Sequence, residues 1–380
     1  MRTAVRVIQV FVGVLFIISG LVKANDPLGL AYKMEEYFEL WSAAAVSKGW
    51  LVQLFDFFHS RSLGLSIFMI TLEIVAGVAL LIGWLKRPLL YLLLALIIFF
   101  TFLTGYAYIS GKFTNCGCFG DCIPITPLTS FIKDLVLLAM IGFLLRGQRY
   151  IQPLFSSRAR IIILLTSLLL TLAVQWYVLR YLPIVDCLPF KKGNNIEAQM
   201  KPPPGSVPDS IAIRFVYEKG GKRYEFAPEN LPPDFETYTY VDRIDKVLRK
   251  GNAVPPIKGF ILKGVADIDS TSAILNMPKA YLVFTMNMNK AKEWVDAKAF
   301  ITMNDIAPVY FITSASLTQA KEALAKNGLG NLPVFNCDNT AVKTAARTDP
   351  TIYYIENGTV IEKWSEKEII KATHINNQKP

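Results

Sequence analysis

The sequence predicts a multi-domain membrane protein: an N-terminal bundle of transmembrane helices, then a C-terminal α/β domain reached through a β-rich stretch. Three observations predict it. The 380 residues are 52% hydrophobic, with a mean hydropathy of +0.35, more apolar than a soluble chain of this length. Nearly all long uncharged runs fall before residue 183. From Ala280 onward, short apolar runs alternate with helical patterns, which points to a small mixed sheet.

Five runs reach the roughly 20 apolar residues a helix needs to cross a bilayer. They are Val5–Ala24, Leu63–Leu85, Pro88–Ile109, Leu128–Leu145 and Ile161–Leu182. In lipid the backbone must satisfy its own hydrogen bonds, so each is expected to be helical. Arg2 and Arg6, then Lys86 and Arg87, then Arg146, Arg149, Arg158 and Arg160 all fall on one side of the bilayer. The positive-inside rule makes that side the cytoplasm. The formal charge of +10 therefore reflects topology, and no nucleic-acid partner is expected; the lipid bilayer is. The opening "MRTAVRVIQVFVGVLFIISGLVKAND" also has the form of a signal peptide. A retained first helix is expected, and both readings place Asn25 on the outer side.

That outer side then holds the loop 25–62, a cysteine loop at 110–127 and everything after Pro183. In the first of these, "AYKMEEYFELW" and "WLVQLFDFFHS" suit aromatic-rich helices lying at the membrane interface. Ionisable residues inside spans are costly and carry a functional expectation. Glu73 falls in mid-span and should face the bundle interior, either handling protons or making a structural hydrogen bond. Lys133 and Asp134 lie early in the fourth span. Asp134 is the second proton-handling candidate, against the alternative that it sits at the interface while Lys133 snorkels outward.

Beyond the fifth span, "MKPPPGSVPDS" reads as a linker. The runs "IAIRFVYE", "KRYEFAP" and "PPIKGFILKG" read as short strands. The last domain should contain strand "AYLVFTM", helix "NKAKEWVDAKAFITMN", strand "VYFITS", helix "LTQAKEALAKNG", the segment "LPVFNCDN", and a terminal hairpin turning at Asn357–Gly358.

The chemistry concentrates in "FTNCGCFGDCIPITP". All five cysteines are expected on the oxidising side, where disulfides persist. Cys116–Cys118 would close a very small ring; Cys116–Cys122 or Cys118–Cys122 closes more easily and leaves a third thiol for exchange. Cys187, just past the fifth span, is a resolving or structural candidate that could pair with the leftover cysteine and tie the two domains together. A metal site is not expected: C-x-C-x3-C fits zinc spacing poorly, and His59 and His374 stand apart. Cys337 is alone in its domain, and Asp338 and Asp349 read as cap and turn residues.

"FIISGLVKANDPLGLAYKMEEY", "LEIVAGVALLIGWLKRP" and "LTSFIKDL" resemble the DoxX membrane family. "NCGCFGDC" resembles the related methylamine-utilisation proteins of the MauE group, and the likeness covers about residues 5–146. It implies a four-helix bundle, here with a fifth span added, in a bacterial inner membrane, and thiol oxidation linked to quinone. The stretch 280–366 resembles a thioredoxin-like domain, in which Pro350 would be the cis-proline before "TIYYIENGTVIEKW". The run "MNMNKAKEW" stands where such a domain carries Cys-x-x-Cys, so dithiol exchange by this domain is not expected.

The expected organisation is a DoxX/MauE-like bundle over 1–146, a basic cytoplasmic loop and fifth span over 147–183, a periplasmic linker and β-rich region over 184–279, and a thioredoxin-like domain over 280–380. The expected function is thiol–disulfide/quinone oxidoreduction. A thiol of a periplasmic protein attacks Cys118–Cys122, Cys116 or Cys187 resolves the mixed disulfide, and electrons pass to quinone with Glu73 or Asp134 handling protons. The thioredoxin-like domain would present the partner. The alternative is a non-catalytic anchor and assembly module of the cell envelope.

Overall fold

A computed structural model describes residues 1–111, 113, 120, 122–123, 125–249, 251–288 and 296–374. Its N-terminal half contains α1 (Arg2–Ala24), α2 (Pro27–Ala44), α3 (Gly49–His59), α4 (Ser62–Leu81), α5 (Lys86–Ser110), α6 (Pro127–Arg146) and α7 (Ser157–Arg180). Five of these, all except α2 and α3, are long and apolar enough to cross a membrane, and they coincide with the five expected runs. The chain ends them with ordinary signals. Asp26 caps α2, accepting from Gly29 N at 3.0 Å, with Pro27 in its first turn. Thr126 caps α6 ahead of Pro127. Gly111, at φ 63°, follows α5 in the left-handed conformation that glycine adopts freely.

The closest pairing in the bundle is α1 on α4, and small residues permit it. A Cβ on Gly77 would lie 2.8 Å from the Gly13 carbonyl oxygen, and one on Gly20 would lie 2.4 Å from Ile74 Cγ1. Both are closer than packed atoms approach, so glycine is what brings the two backbones together. Around this seam Val12, Phe16, Leu80, Leu90, Leu93 and Ile141 form the bundle core.

The bundle has two distinct ends. At one, Arg2 donates to Gln152 Oε1 and Leu154 N donates to Ile82 O. At the other, α2 and α3 fold across the helix ends. Tyr37, Phe38, Trp41, Phe55, Phe58, Tyr106 and Phe113 interlock there at ring separations of 4.2–6.3 Å. Trp50 and Phe57 of α3 remain exposed.

Beyond α7 a short α8 (Ile196–Gln199) precedes β1 (Ser210–Lys219), β2 (Lys222–Phe226) and β3 (Thr239–Arg249). These form an antiparallel sheet of order β2-β1-β3. Its third strand differs from expectation. "PPIKGFILKG" is not a strand: its sheet-like contacts are two isolated bridges at Lys263, to Asp269 and Asn336, and Gly259 has φ +66°. Ile257, Phe260 and Leu262 instead point into the core of the next domain.

That domain contains α9 (Thr271–Leu275), β4 (Ala280–Thr285), α10 (Ala297–Ile306), β5 (Val309–Thr313), α11 (Leu317–Lys326), β6 (Val334–Asn336), α12 (Asn339–Ala345), β7 (Thr351–Glu356), β8 (Thr359–Ser365) and α13 (Ile369–Ala372). The sheet order is β6-β5-β4-β7-β8. Strands β4, β5 and β6 are parallel, while β7 and β8 run antiparallel. Alternation along the strands splits the core. Tyr281, Val283 and Phe311 face α10 and α11. Leu282, Phe284, Ile312 and Tyr353 face Phe190, Phe260 and α12. The β7–β8 turn is Asn357–Gly358, both at positive φ, as a two-residue hairpin needs. The Asp349–Pro350 bond is cis.

Candidate functional site at the junction of bundle and sheet domain

Four consecutive residues, "KAND" at 23–26, end the first span and organise the junction. Lys23 turns inward, Asn25 holds the chain leaving the fifth span, and Asp26 reaches the sheet domain. Asn25 Nδ2 donates to Val185 O at 2.8 Å, and Val185 N donates back to Asn25 Oδ1 at 2.9 Å. This paired contact fixes the segment that carries Asp186 and Cys187.

Cys187 is disulfide-bonded to Cys122, with a Cα–Cα separation of 4.8 Å. The bridge therefore joins the cysteine loop ahead of α6 to the chain ahead of the sheet domain. The pairing differs from the two easier ring closures considered from sequence: in this structure Cys122 is bonded to neither Cys116 nor Cys118. Both of those lie outside the described residues. The cause is spatial, since the bundle brings the end of the fifth span beside the start of the fourth, a proximity that 65 residues of sequence separation conceal.

The neighbouring Asp186 ties the same segment to the sheet. Its Oδ2 accepts from Lys363 Nζ at 2.8 Å, and the Lys363 side chain is only 3% exposed. Burial pushes the Lys363 ammonium below its ordinary range, and the Asp186 carboxylate opposes that shift. Leu188 and Phe190 then enter the core. Cys187 is thus held between Asn25 on the bundle and Lys363 on β8.

A second group of contacts docks the sheet domain on α2. Arg347 Nε lies 2.9 Å from both carboxylate oxygens of Asp26. Lys343 Nζ donates to Glu35 Oε2 at 2.7 Å, and Glu35 Oε1 accepts from Ser62 at 2.7 Å. Tyr32 sits beneath Lys343 and Arg347, and its hydroxyl meets Met286 Sδ at 3.0 Å. Burial pushes the Tyr32 phenol well up, so it stays neutral. Asp349, before Pro350, accepts from Thr285 Oγ1, Met286 N and Asn287 N at 2.7–3.1 Å. It is a turn-organising residue, and Asp338 is the cap of α12, as expected of both. The face of the sheet domain that carries Met286, Lys343 and Arg347 is consequently packed on α2.

The bundle interior carries the two carboxylates singled out from sequence. Glu73 Oε2 accepts from Lys23 Nζ at 2.6 Å, with both side chains nearly inaccessible. Asp134 is 1% exposed and lies inside the bundle. Thr104 Oγ1 donates to it at 3.1 Å and Lys133 Nζ lies 2.9 Å away. Both pairs line one cleft, together with Ser19, Phe100 and Leu137. Lys23, the partner of Glu73, was not singled out by the sequence reading. Its signal was present, because a lysine at the end of a span is a counter-ion for any acid one helix away.

The cleft has room for about one water molecule. A quinone ring does not fit it with the two ion pairs closed, and no step through a quinone is derived from these residues.

Cys337 stands apart. It is buried in the sheet-domain core, its Sγ 3.8 Å from Gly259 O, and burial pushes the thiol up to about 11. We expect it to resist maleimide at pH 8 in the folded protein and to react only after denaturation, as read by mass shift; rapid labelling of the native chain would contradict its placement.

Comparison with known proteins agrees with the helical half. The family described as "Methylamine utilisation protein MauE" matches residues 1–147, and a "Domain of unknown function (DUF8463)" matches residues 211–250, the sheet β1–β3. The chain is 29% identical over 147 residues to "Protein TlpB" of Flavobacterium psychrophilum, covering 36% of this chain and 35% of the relative. The chain thus spans about a third of the length of the curated relative it matches.

Proposed function

We propose that the protein is a membrane thiol–disulfide exchange protein whose reactive centre is the Cys122–Cys187 bridge and the adjoining cysteine loop. One observation carries the reading: the bridge joins a loop containing two further cysteines to the hinge between two domains. Cys118 and Cys116 are four and six residues from Cys122, so extended chain limits them to about 14 and 22 Å from it. That reach permits either thiol to exchange with the bridge. The match of residues 1–147 to MauE supports the same reading.

The exchange balances as follows. A thiolate of a reduced dithiol partner attacks one sulfur of Cys122–Cys187, forming a mixed disulfide and releasing the other sulfur as a thiolate that takes up a proton. The partner's second thiol attacks the mixed disulfide. The partner leaves as a disulfide, and Cys122 and Cys187 remain as two thiols. Reverse exchange with an oxidising protein disulfide restores the bridge.

We place this centre on the periplasmic side of a bacterial inner membrane, with the N-terminus in the cytoplasm. The flanking arginines and lysines support the orientation, and a disulfide suits the oxidising side. We read the sheet domain as thioredoxin-like and without redox activity of its own. The sheet order and the cis Pro350 support the first statement, and the lack of cysteine in "MNMNKAKEW" the second. With its Met286, Lys343 and Arg347 against α2, this domain holds Cys187 in place instead of presenting a client.

A second reading has one specific observation behind it. The bridge lies beside the Asn25–Val185 and Asp186–Lys363 contacts, as a permanent brace in an assembly module would. Turnover separates the two. Full-length protein in nanodiscs, given a reduced dithiol peptide and an oxidising disulfide, should oxidise the peptide catalytically. Cys122→Ser or Cys187→Ser should lower that rate at least a hundredfold. No turnover by the unaltered chain, or undiminished turnover by both variants, would leave the brace.

A further inference from the structure

Among the described residues, the sheet β2-β1-β3 leaves the outer edge of β3 without a strand beside it. This edge is long, Thr239–Arg249, and Tyr240, Val241, Ile244 and Leu248 along it are exposed. An open edge with apolar side chains is a template for another strand unless like charges or irregularities blunt it. Register shifts interrupt the β1–β3 ladder near both ends, leaving a regular central stretch from Asp242 to Val247.

The charges in that stretch alternate in sign: Asp242, Arg243, Ile244, Asp245, Lys246. Turned through a half rotation about Ile244, the strand is its own complement. Asp242 falls opposite Lys246 and Arg243 opposite Asp245. Directly opposed residues of an antiparallel pair share a face, so each match is a cross-strand contact. Neighbouring registers are excluded by their own charges. They would set Asp242 against Asp245, Arg243 against Lys246, or Asp245 against itself.

We propose that β3 is a self-recognition edge: it pairs antiparallel with β3 of a second copy of this chain across a two-fold axis at Ile244, giving one six-stranded sheet from two chains. The contact is isologous, so every pair occurs twice. Arg243 and Asp245, already 2.7 Å apart within one chain, become part of a four-charge cluster at the axis. The inference is independent of the redox reading, since none of its residues belongs to the junction.

The test uses full-length protein in detergent, with mass read by light scattering across a dilution series. The unaltered chain should dimerise. Asp242→Lys alone opposes lysine to lysine twice, and Lys246→Asp alone opposes aspartate to aspartate twice; each should weaken dimerisation about tenfold. An equimolar mixture of the two single variants should recover a heterodimer, because each supplies the charge the other lacks, and the double variant should recover a homodimer. Recovery on mixing also shows that neither variant is misfolded. A monomeric unaltered chain, a dimer indifferent to the single reversals, or no recovery on mixing would each overturn the proposal.

Discussion

Lys23→Ala or Glu73→Ala is expected to cost about 3–5 kcal/mol of stability, because each leaves one buried charge without its partner. The pair joins the two helices that pack most closely, and the contact is 2.6 Å between side chains almost inaccessible to solvent. Replacing both partners, Lys23→Met with Glu73→Leu, removes the charges together and should restore most of the loss, since an apolar pair of similar volume replaces a buried ion pair at little cost. Unfolding of the full chain in nanodiscs measures both. A single variant as stable as the unaltered protein would show that the pair does not hold α1 to α4. Full exchange activity in the double variant would remove Glu73 from the proton-handling candidates and leave it a structural partner of Lys23.

Arg347→Ala should release the sheet domain from α2 without releasing it from the bundle. Arg347 is 4% exposed on its side chain and grips both oxygens of Asp26, so its removal should cost about 3 kcal/mol of docking. Arg347→Lys should recover only part of this, because an ammonium cannot reproduce the planar fork. Asp26 would still cap α2 through Gly29 N, so the helix itself should persist. The readout is amide hydrogen exchange. Protection should fall in residues 26–37 and 343–351 and hold in β4 and β5. The Cys122–Cys187 bridge should remain closed, keeping the domain tethered. Unchanged protection along α2 would contradict the dock as the main contact.

The five spans were legible because hydrophobic length alone decides them, and the terminal hairpin because Asn357–Gly358 has few other uses. What was hidden had physical reasons. β3 has no uncharged run, and its alternating signs look like solvated loop until they are matched against a second strand. Helix α12 has seven residues, too few to show a helical period, yet it supplies Lys343 and leads into Arg347. "PPIKGFILKG" has strand-like composition, but its residues fill the space over a sheet already complete. Lys23 looked like a flanking charge because it ends a span; only the approach of α4 permitted by Gly13, Gly20 and Gly77 brings Glu73 to it. The partner of Cys122 depended on where α7 ends in space, which spacing within the cysteine loop does not encode.

The same limit defines how the account is tested. A closed Cys122–Cys187 bridge suits both a working centre and a brace, and only its response to an exchanging thiol distinguishes them. The direct measurement is mass-tagged thiol trapping of the full-length protein in intact membranes, followed by peptide mapping, before and after a brief challenge with a mild dithiol at neutral pH. The folded protein is expected to gain tagged Cys122 and Cys187 within the challenge while Cys337 stays untagged, and the bridge to close again when an oxidising disulfide is supplied. A bridge that stays shut until the protein is denatured would contradict it, and the disulfide would then be a brace between the bundle and the sheet domain.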